Sequence, residues 1–283
     1  MSGSQAPTGL ARRGRRLSDE ETEHRMLRAA ARMISNTGLT VSLEHISLEE
    51  VIREADVSRS TVYRRWPHKD LFFSDLVREL AKNATPNIMG AERELIRQIV
   101  TARLDWLDST EQRRELVAEL FRRLSLLDFQ TLSQSAEWRT YVALHATFMS
   151  LTDDELRRQV QHALAQSERE HITAVAVAWE QIASTLGYRL RPELGATFED
   201  LATLLDATMR GLVIMALSMP EIAKRQLRTG PFPRSGTVDW SLPAVGLAGI
   251  ASAFIEPDPA VSWDAERVAA VRQALVALTQ PPG

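Results

Sequence analysis

Residues 47–71 read SLEEVIREADVSRSTVYRRWPHKDL. Ser47, with Glu50 three residues on, forms a capping-box pattern that opens a helix running to about Ala55. Ser58 is placed to cap a second helix, its side-chain oxygen on an orphan amide of the first turn. Pro67 ends that second helix, because the residue before a proline is pushed out of the α region. A third helix follows at once, with Leu71, Phe72, Leu76 and Leu80 expected on one side. The middle helix carries Arg59, Ser60, Thr61, Tyr63, Arg64 and Arg65, and no acidic residue occurs from Val57 through Lys69. A short basic helix of this kind has the size and charge to enter a DNA major groove.

Upstream, Ser18 and Glu21 form another capping-box pattern, and Met26, Leu27, Ala30, Met33 and Ile34 recur at helical spacing. Asn36-Thr37-Gly38 stops that helix. Residues 1–17 lack apolar periodicity and contain RRGRR at Arg12–Arg16. They read as a disordered basic arm without the apolar region of a secretory signal. Arg12, Arg13, Arg15 and Arg16 are placed to follow phosphates or a flanking minor groove. The expected division is an arm over 1–17, a helix-turn-helix domain over 18–83 and a helical body over 84–283.

Charge is distributed unevenly. The formal net charge is −3, but residues 1–85 carry 14 Lys and Arg against 12 Asp and Glu, and the remainder is acidic. There is no cysteine, which removes disulfides, thiolate metal sites and cysteine nucleophiles and fits a reducing cytoplasm. No apolar run reaches the roughly 18 residues of a membrane span. Neither a GxGxxG nor a P-loop is present, and the carboxylates fall on expected solvent faces. An enzyme, a cofactor and a metal site are therefore not expected.

In the helix-turn-helix reading, Arg59, Ser60 and Thr61 occupy the first turn of the recognition helix, nearest the base edges, with Tyr63 and Arg64 next. Arg59 suits bidentate pairing with guanine. Ser47 can offer its hydroxyl and its helix N-terminus to a phosphate. Trp66 reads as a wedge into the small core. The segment from Glu23 to Lys82 resembles the N-terminal domain of the TetR family of transcriptional repressors, through Val51, Ala55, Val57, Ser58, Thr61, Tyr63, Trp66, Lys69, Leu71 and Phe72. The resemblance implies that Tyr63 and Lys69 contact backbone phosphate. Three positions depart from the family pattern: Ile52 for alanine, Asp56 for the glycine of the turn and His68 for a serine cap. Asp tolerates the left-handed conformation better than most non-glycine residues, so the turn remains feasible.

From Ala91 onward the spacing predicts long amphipathic helices and no strands, giving an all-α chain. Thr152 with Glu155 is expected to cap a very long helix, and residues 220–240 read as loop. Phe198–Met219 is apolar around most of its circumference, as is Leu242–Ile255, and such helices must be covered on several sides. Two copies of each make a four-helix homodimer interface, which the resemblance also implies. A pocket is expected among the middle helices, lined by Trp106, Phe121, Trp138, Tyr141, His145, Met149, His171 and Trp179. The resulting expectation is a cytoplasmic repressor that binds a double-stranded DNA operator as a homodimer and is released by an apolar or amphipathic small molecule, with no membrane partner. The alternatives are a helical interaction protein, a ligand-independent DNA-binding factor or an activator of the same fold.

Overall fold

The computed structural model describes residues 18–37, 46–82, 84–85, 89–232 and 236–278. The basic arm with its four arginines lies outside them. Among the described residues are twelve α-helices and two small antiparallel ribbons of two strands each.

Four helices build the first unit: α1 (Asp19–Thr37), α2 (Leu48–Ala55), α3 (Arg59–Arg65) and α4 (Lys69–Lys82). Ser18 caps α1 by accepting from the Glu21 amide at 3.0 Å. Ser47 caps α2 by accepting from the Glu50 amide at 3.4 Å. Asp56 then takes the left-handed conformation, φ 51° and ψ 52°, and its amide donates back to the carbonyls of Arg53 and Ile52. That reversal sets α3 across α2. Ser58 stands at the N-cap of α3, but its hydroxyl pairs with that of Ser60 at 2.7 Å and caps no amide, contrary to expectation. Trp66 ends α3, with its amide on the Val62 carbonyl at 2.7 Å.

Trp66 is the wedge the sequence suggests. It is fully buried, its indole Nε1 donates to Asp75 at 2.7 Å, and its ring meets Phe72 edge-on at 5.2 Å. Around it pack Met26, Ala30, Ile34, Val51, Val62 and Leu76. Ile52 is also buried, so the larger side chain is absorbed by the core. Leu71 departs from the expected stripe and is about half exposed. The cluster continues beyond these four helices, through Ala143, Leu144, Val160 and Leu164.

Those last residues belong to α7 (Ala136–Ser150) and α8 (Asp154–Thr185). The rest of the body is α5 (Met89–Thr101), a 3-10 turn over Leu104–Asp108, α6 (Thr110–Gln134), α9 (Phe198–Ser218), α10 (Glu221–Lys224), α11 (Leu242–Phe254) and α12 (Ala265–Leu278). Its own core joins Leu116, Phe121, Leu201, Leu205, Leu247 and Ala248. The cap of α8 is Asp153, not Thr152, and it accepts from the Leu156 amide at 2.9 Å. Asp at that position both caps and complements the helix dipole. α8 ends at Gly187, φ 72°, where a Cβ would stand 3.1 Å from the Trp263 ring.

Strands were not expected. β1 (Tyr188–Leu190) pairs with β4 (Ile255–Pro257), and β2 (Gln226–Thr229) pairs with β3 (Val238–Ser241). At three or four residues they are too short for an alternating pattern to register. The ion pair Arg189–Glu256 at 2.8 Å ties the first ribbon across its strands. The expected loop over 220–240 therefore contains α10, β2 and most of β3. A second correction concerns α9, which is long and apolar enough by length and composition to cross a membrane, although Asp206 and Arg210 sit within it.

Asp56 holds a left-handed conformation that a Cβ disfavours. Asp56→Gly is expected to stabilise the chain by about 1 kcal/mol, read as a raised midpoint in urea unfolding. Asp56→Val should lower that midpoint. Equal stability of all three proteins would show that the turn carries no strain.

Candidate functional site

Helix α3 presents one outward face. Arg59, Ser60, Tyr63 and Arg64 are all exposed on it, at the i, i+1, i+4, i+5 spacing of one helical side. Thr61 and Ser47 are half-buried. Lys69, at the start of α4, lies over the Phe73 ring at 4.7 Å and is exposed. The seven sequence-assigned residues within the described segments thus cluster around α3 and the starts of α2 and α4.

The charges on this face are not bare. Arg59 pairs with Glu49 at 2.8 Å, Arg64 with Asp19, and Arg65 with Glu23 at 3.1 Å and Asp75 at 3.3 Å. Tyr63 Oη donates to the other oxygen of Glu49 at 2.7 Å. One carboxylate on α2 therefore holds both Arg59 and Tyr63. Exposed pairs of this kind contribute little to stability and exchange readily for a stronger anion. Sequence reasoning missed Glu49, because an acidic residue in a first helical turn reads as an ordinary partner of the helix dipole. Arg65, bonded to two carboxylates on α1 and α4, braces the unit.

A cavity of about 150 Å³ lies inside the body, bounded by α5, α6, α8, α9 and α11. Of the eight expected pocket residues, His171 and Trp179 line it. Phe121 stacks on Trp179 at 4.7 Å and lines a smaller void beside it. Trp106, Trp138, Tyr141 and His145 are not among its lining residues. Trp106 packs under Arg103 at 5.0 Å, Trp138 is buried against Tyr141 at 5.1 Å, and His145 Nδ1 sits 2.9 Å from the Tyr141 carbonyl. Met149 corrects the expectation outright: it is 77% exposed at the end of α7.

Beside the cavity is a polar cluster joining three helices. Arg210 Nη1 donates to both Glu168 oxygens at 2.9 Å and to Tyr141 Oη at 2.5 Å, while Nη2 meets Asp206 at 2.6 Å. Tyr141 Oη in turn donates to Glu168 at 2.6 Å. Burial, then the bond to Glu168, pushes the Tyr141 phenol well above its ordinary range, so it stays a neutral donor. Asp206 also faces His171 Nε2 at 3.5 Å. Glu168 and Asp206 therefore do not sit on solvent faces as expected. The available sign was a charged i, i+4 pair, Asp206 and Arg210, in the otherwise uncharged part of the helix after its acidic first turn. Among the described residues no group of three His, Asp or Glu side chains is arranged to hold a metal ion.

The described residues thus combine a helix-turn-helix unit, whose second helix is exposed and basic, with a helical body. The chain is 35% identical over 83 residues to an uncharacterized HTH-type transcriptional regulator of Mycobacterium tuberculosis, and 39% identical over 84 residues to one of Mycobacterium bovis. Each match covers 28% of this chain and 42% of the relative, so less than half of either relative's length is spanned. Full-length native TylP, a TetR regulator from Streptomyces fradiae, aligns over 93% of this chain and 94% of its own, at 15% identity and a TM-score of 0.37. No family model matches the chain. The resemblance to the TetR family of transcriptional regulators lies in the helix-turn-helix residues.

The hydrogen bond to Glu49 is the main cause that raises the Tyr63 phenol pKa. Glu49→Gln is expected to lower it towards the ordinary tyrosine value, as followed by NMR titration of ring-labelled tyrosine. Tyr141 and Tyr188, raised chiefly by burial, should not move. An unshifted Tyr63 would show that Glu49 does not hold it in solution.

Proposed function

We propose that this chain is a cytoplasmic, homodimeric transcriptional repressor that binds a palindromic DNA operator through α3 and is released by a small molecule. The observation that carries the reading is the exposed face of α3, with Arg59, Ser60, Tyr63 and Arg64 on a helix set by the left-handed turn at Asp56. Arg59 stands to read guanine, and Ser60 and Thr61 to approach neighbouring base edges. Ser47, Tyr63, Arg64 and Lys69 stand to hold the phosphates that fix register. The carboxylate partners on α1 and α2 give way to phosphate on binding. The arm, with Arg12, Arg13, Arg15 and Arg16, adds basic charge next to this unit.

One helix-turn-helix binds weakly, and paired units gain affinity by meeting half-sites about 34–36 Å apart. The outward faces of α9 and α11 support a dimer. On α9, Leu204, Gly211 and Met215 form one stripe, with Ile214 and Leu217 beside it, and all five are exposed. α11 packs against α9 where Gly246 approaches Thr208 and Leu212. An exposed apolar stripe of this length marks an interaction surface.

The cavity supports a small effector. About 150 Å³ accommodates a ligand of single-ring size. Its walls are largely apolar, with His171, Asp128 and Asp206 as polar groups, which suits an amphipathic molecule. Release of DNA follows if that molecule prefers a state in which the two recognition helices are wrongly spaced.

Arg59→Ala should weaken binding to a selected operator duplex by about tenfold or more, and Lys69→Ala should lower the slope of log affinity against log salt by about 1. Both are read by fluorescence anisotropy titration at several salt concentrations. Unchanged affinity and slope in the two variants would remove α3 and α4 from the interface.

Gly211 has open space where a Cβ would stand, so the isolated chain tolerates a side chain there. Gly211→Glu is expected to keep the helical circular-dichroism spectrum while shifting sedimentation from dimer to monomer. A wild-type monomer at micromolar concentration, or a dimer in the variant, would contradict the assignment of α9.

A further inference from the structure

The cavity's polar wall narrows the chemistry of what enters it. Asp206 has two roles at once. It lines the cavity, and it is one of two carboxylates that share the single guanidinium of Arg210. Glu168 is the other, held at 2.9 Å through both its oxygens. All three side chains are more than two-thirds buried. One guanidinium set between two carboxylates leaves these three side chains one negative charge in excess. Excess anionic charge out of water is unfavourable until a cation meets it. The cavity adds a second feature suited to a cation, the Trp179 ring in its wall.

The cluster is also placed to report occupancy. Arg210 on α9 grips Glu168 on α8 and Tyr141 on α7. α7 and α8 carry Ala143, Leu144, Val160 and Leu164, which complete the core of the helix-turn-helix unit. Asp206 and Arg210 are both on α9, so a cation that takes Asp206 leaves Arg210 to Glu168 and Tyr141 alone and draws Asp206 away from His171 on α8, which alters the tie between α9 and the two helices on which that unit rests.

We infer that the effector is a compact protonated amine on an apolar group of single-ring size, its ammonium paired with Asp206 in competition with Arg210. This rests on the reading of the cavity as the effector site. Anionic and neutral ligands of the same shape lack the charge that Asp206 requires. An anion is further disfavoured by the neighbouring carboxylate of Glu168.

The test compares benzylamine, benzyl alcohol and benzoate, which share one ring and differ in charge. Each is titrated into the full chain at neutral pH by calorimetry, and each is then added to the protein–operator complex. Benzylamine is expected to bind about tenfold or more tighter than benzyl alcohol, a difference of about 1.4 kcal/mol, with benzoate the weakest. It should also dissociate DNA at lower concentration than the other two. Asp206→Asn should erase the preference for the amine. Tyr141→Phe keeps the carboxylate and removes one bond of the cluster, so it should retain that preference even if affinity for all three ligands changes. Benzyl alcohol or benzoate binding as well as the amine would overturn the amine assignment and leave the small-molecule reading standing. No binding of any of the three would overturn both.

Discussion

The helix-turn-helix unit does not close its own core. Trp66, Phe72 and Leu76 fill the space between α1, α2, α3 and α4, but the same apolar cluster runs on into Leu144 of α7 and Val160 and Leu164 of α8. The packing of α4 on α8 is the constraint on which the rest of the structure depends. It fixes the outward face of α3 relative to the body, and it makes α7 and α8 shared property of the reading unit and the cavity-bearing core. Residues of α8 and α3 belong to the same buried cluster, and close-packed interiors transmit displacement rather than absorb it.

Electrostatics follow the same plan at two depths. At the surface, Glu49, Asp19 and Glu23 hold the arginines of α3. These pairs are exposed and weak, so they orient the guanidinium groups without committing them. In the interior, Glu168, Asp206 and Arg210 form a tighter arrangement, because burial strengthens each interaction and makes any imbalance costly. The proposed function uses both: the surface pairs open towards phosphate, and the interior set responds to what fills the cavity.

Much of the reading unit was legible from local sequence. The caps at Ser18 and Ser47, the left-handed turn at Asp56, the stop at Pro67 and the wedge of Trp66 are each decided by a few adjacent residues and by elementary backbone sterics. What escaped depends on residues far apart in the chain. Glu49 reaches Tyr63 and Arg59 only once the turn has folded, and the contact of Glu168 with Arg210 spans 42 positions. Met149 fell on the right helix but the wrong side, because a stripe does not say which of two flanking surfaces will cover it. The two ribbons were hidden by their brevity. The shift from Thr152 to Asp153 shows how two capping-competent neighbours blur a helix start.

In the proposed complex two copies of the chain present α3 to successive major grooves on one face of a DNA duplex. The most direct measurement is selection of duplexes from a random-sequence pool by the full chain, followed by methylation-interference footprinting of the winners. The expected result is a palindrome whose two protected major-groove patches lie one helical turn, about 34–36 Å, apart, with interference at guanine. A pool that yields no enriched sequence, or a single unpaired patch, would contradict it.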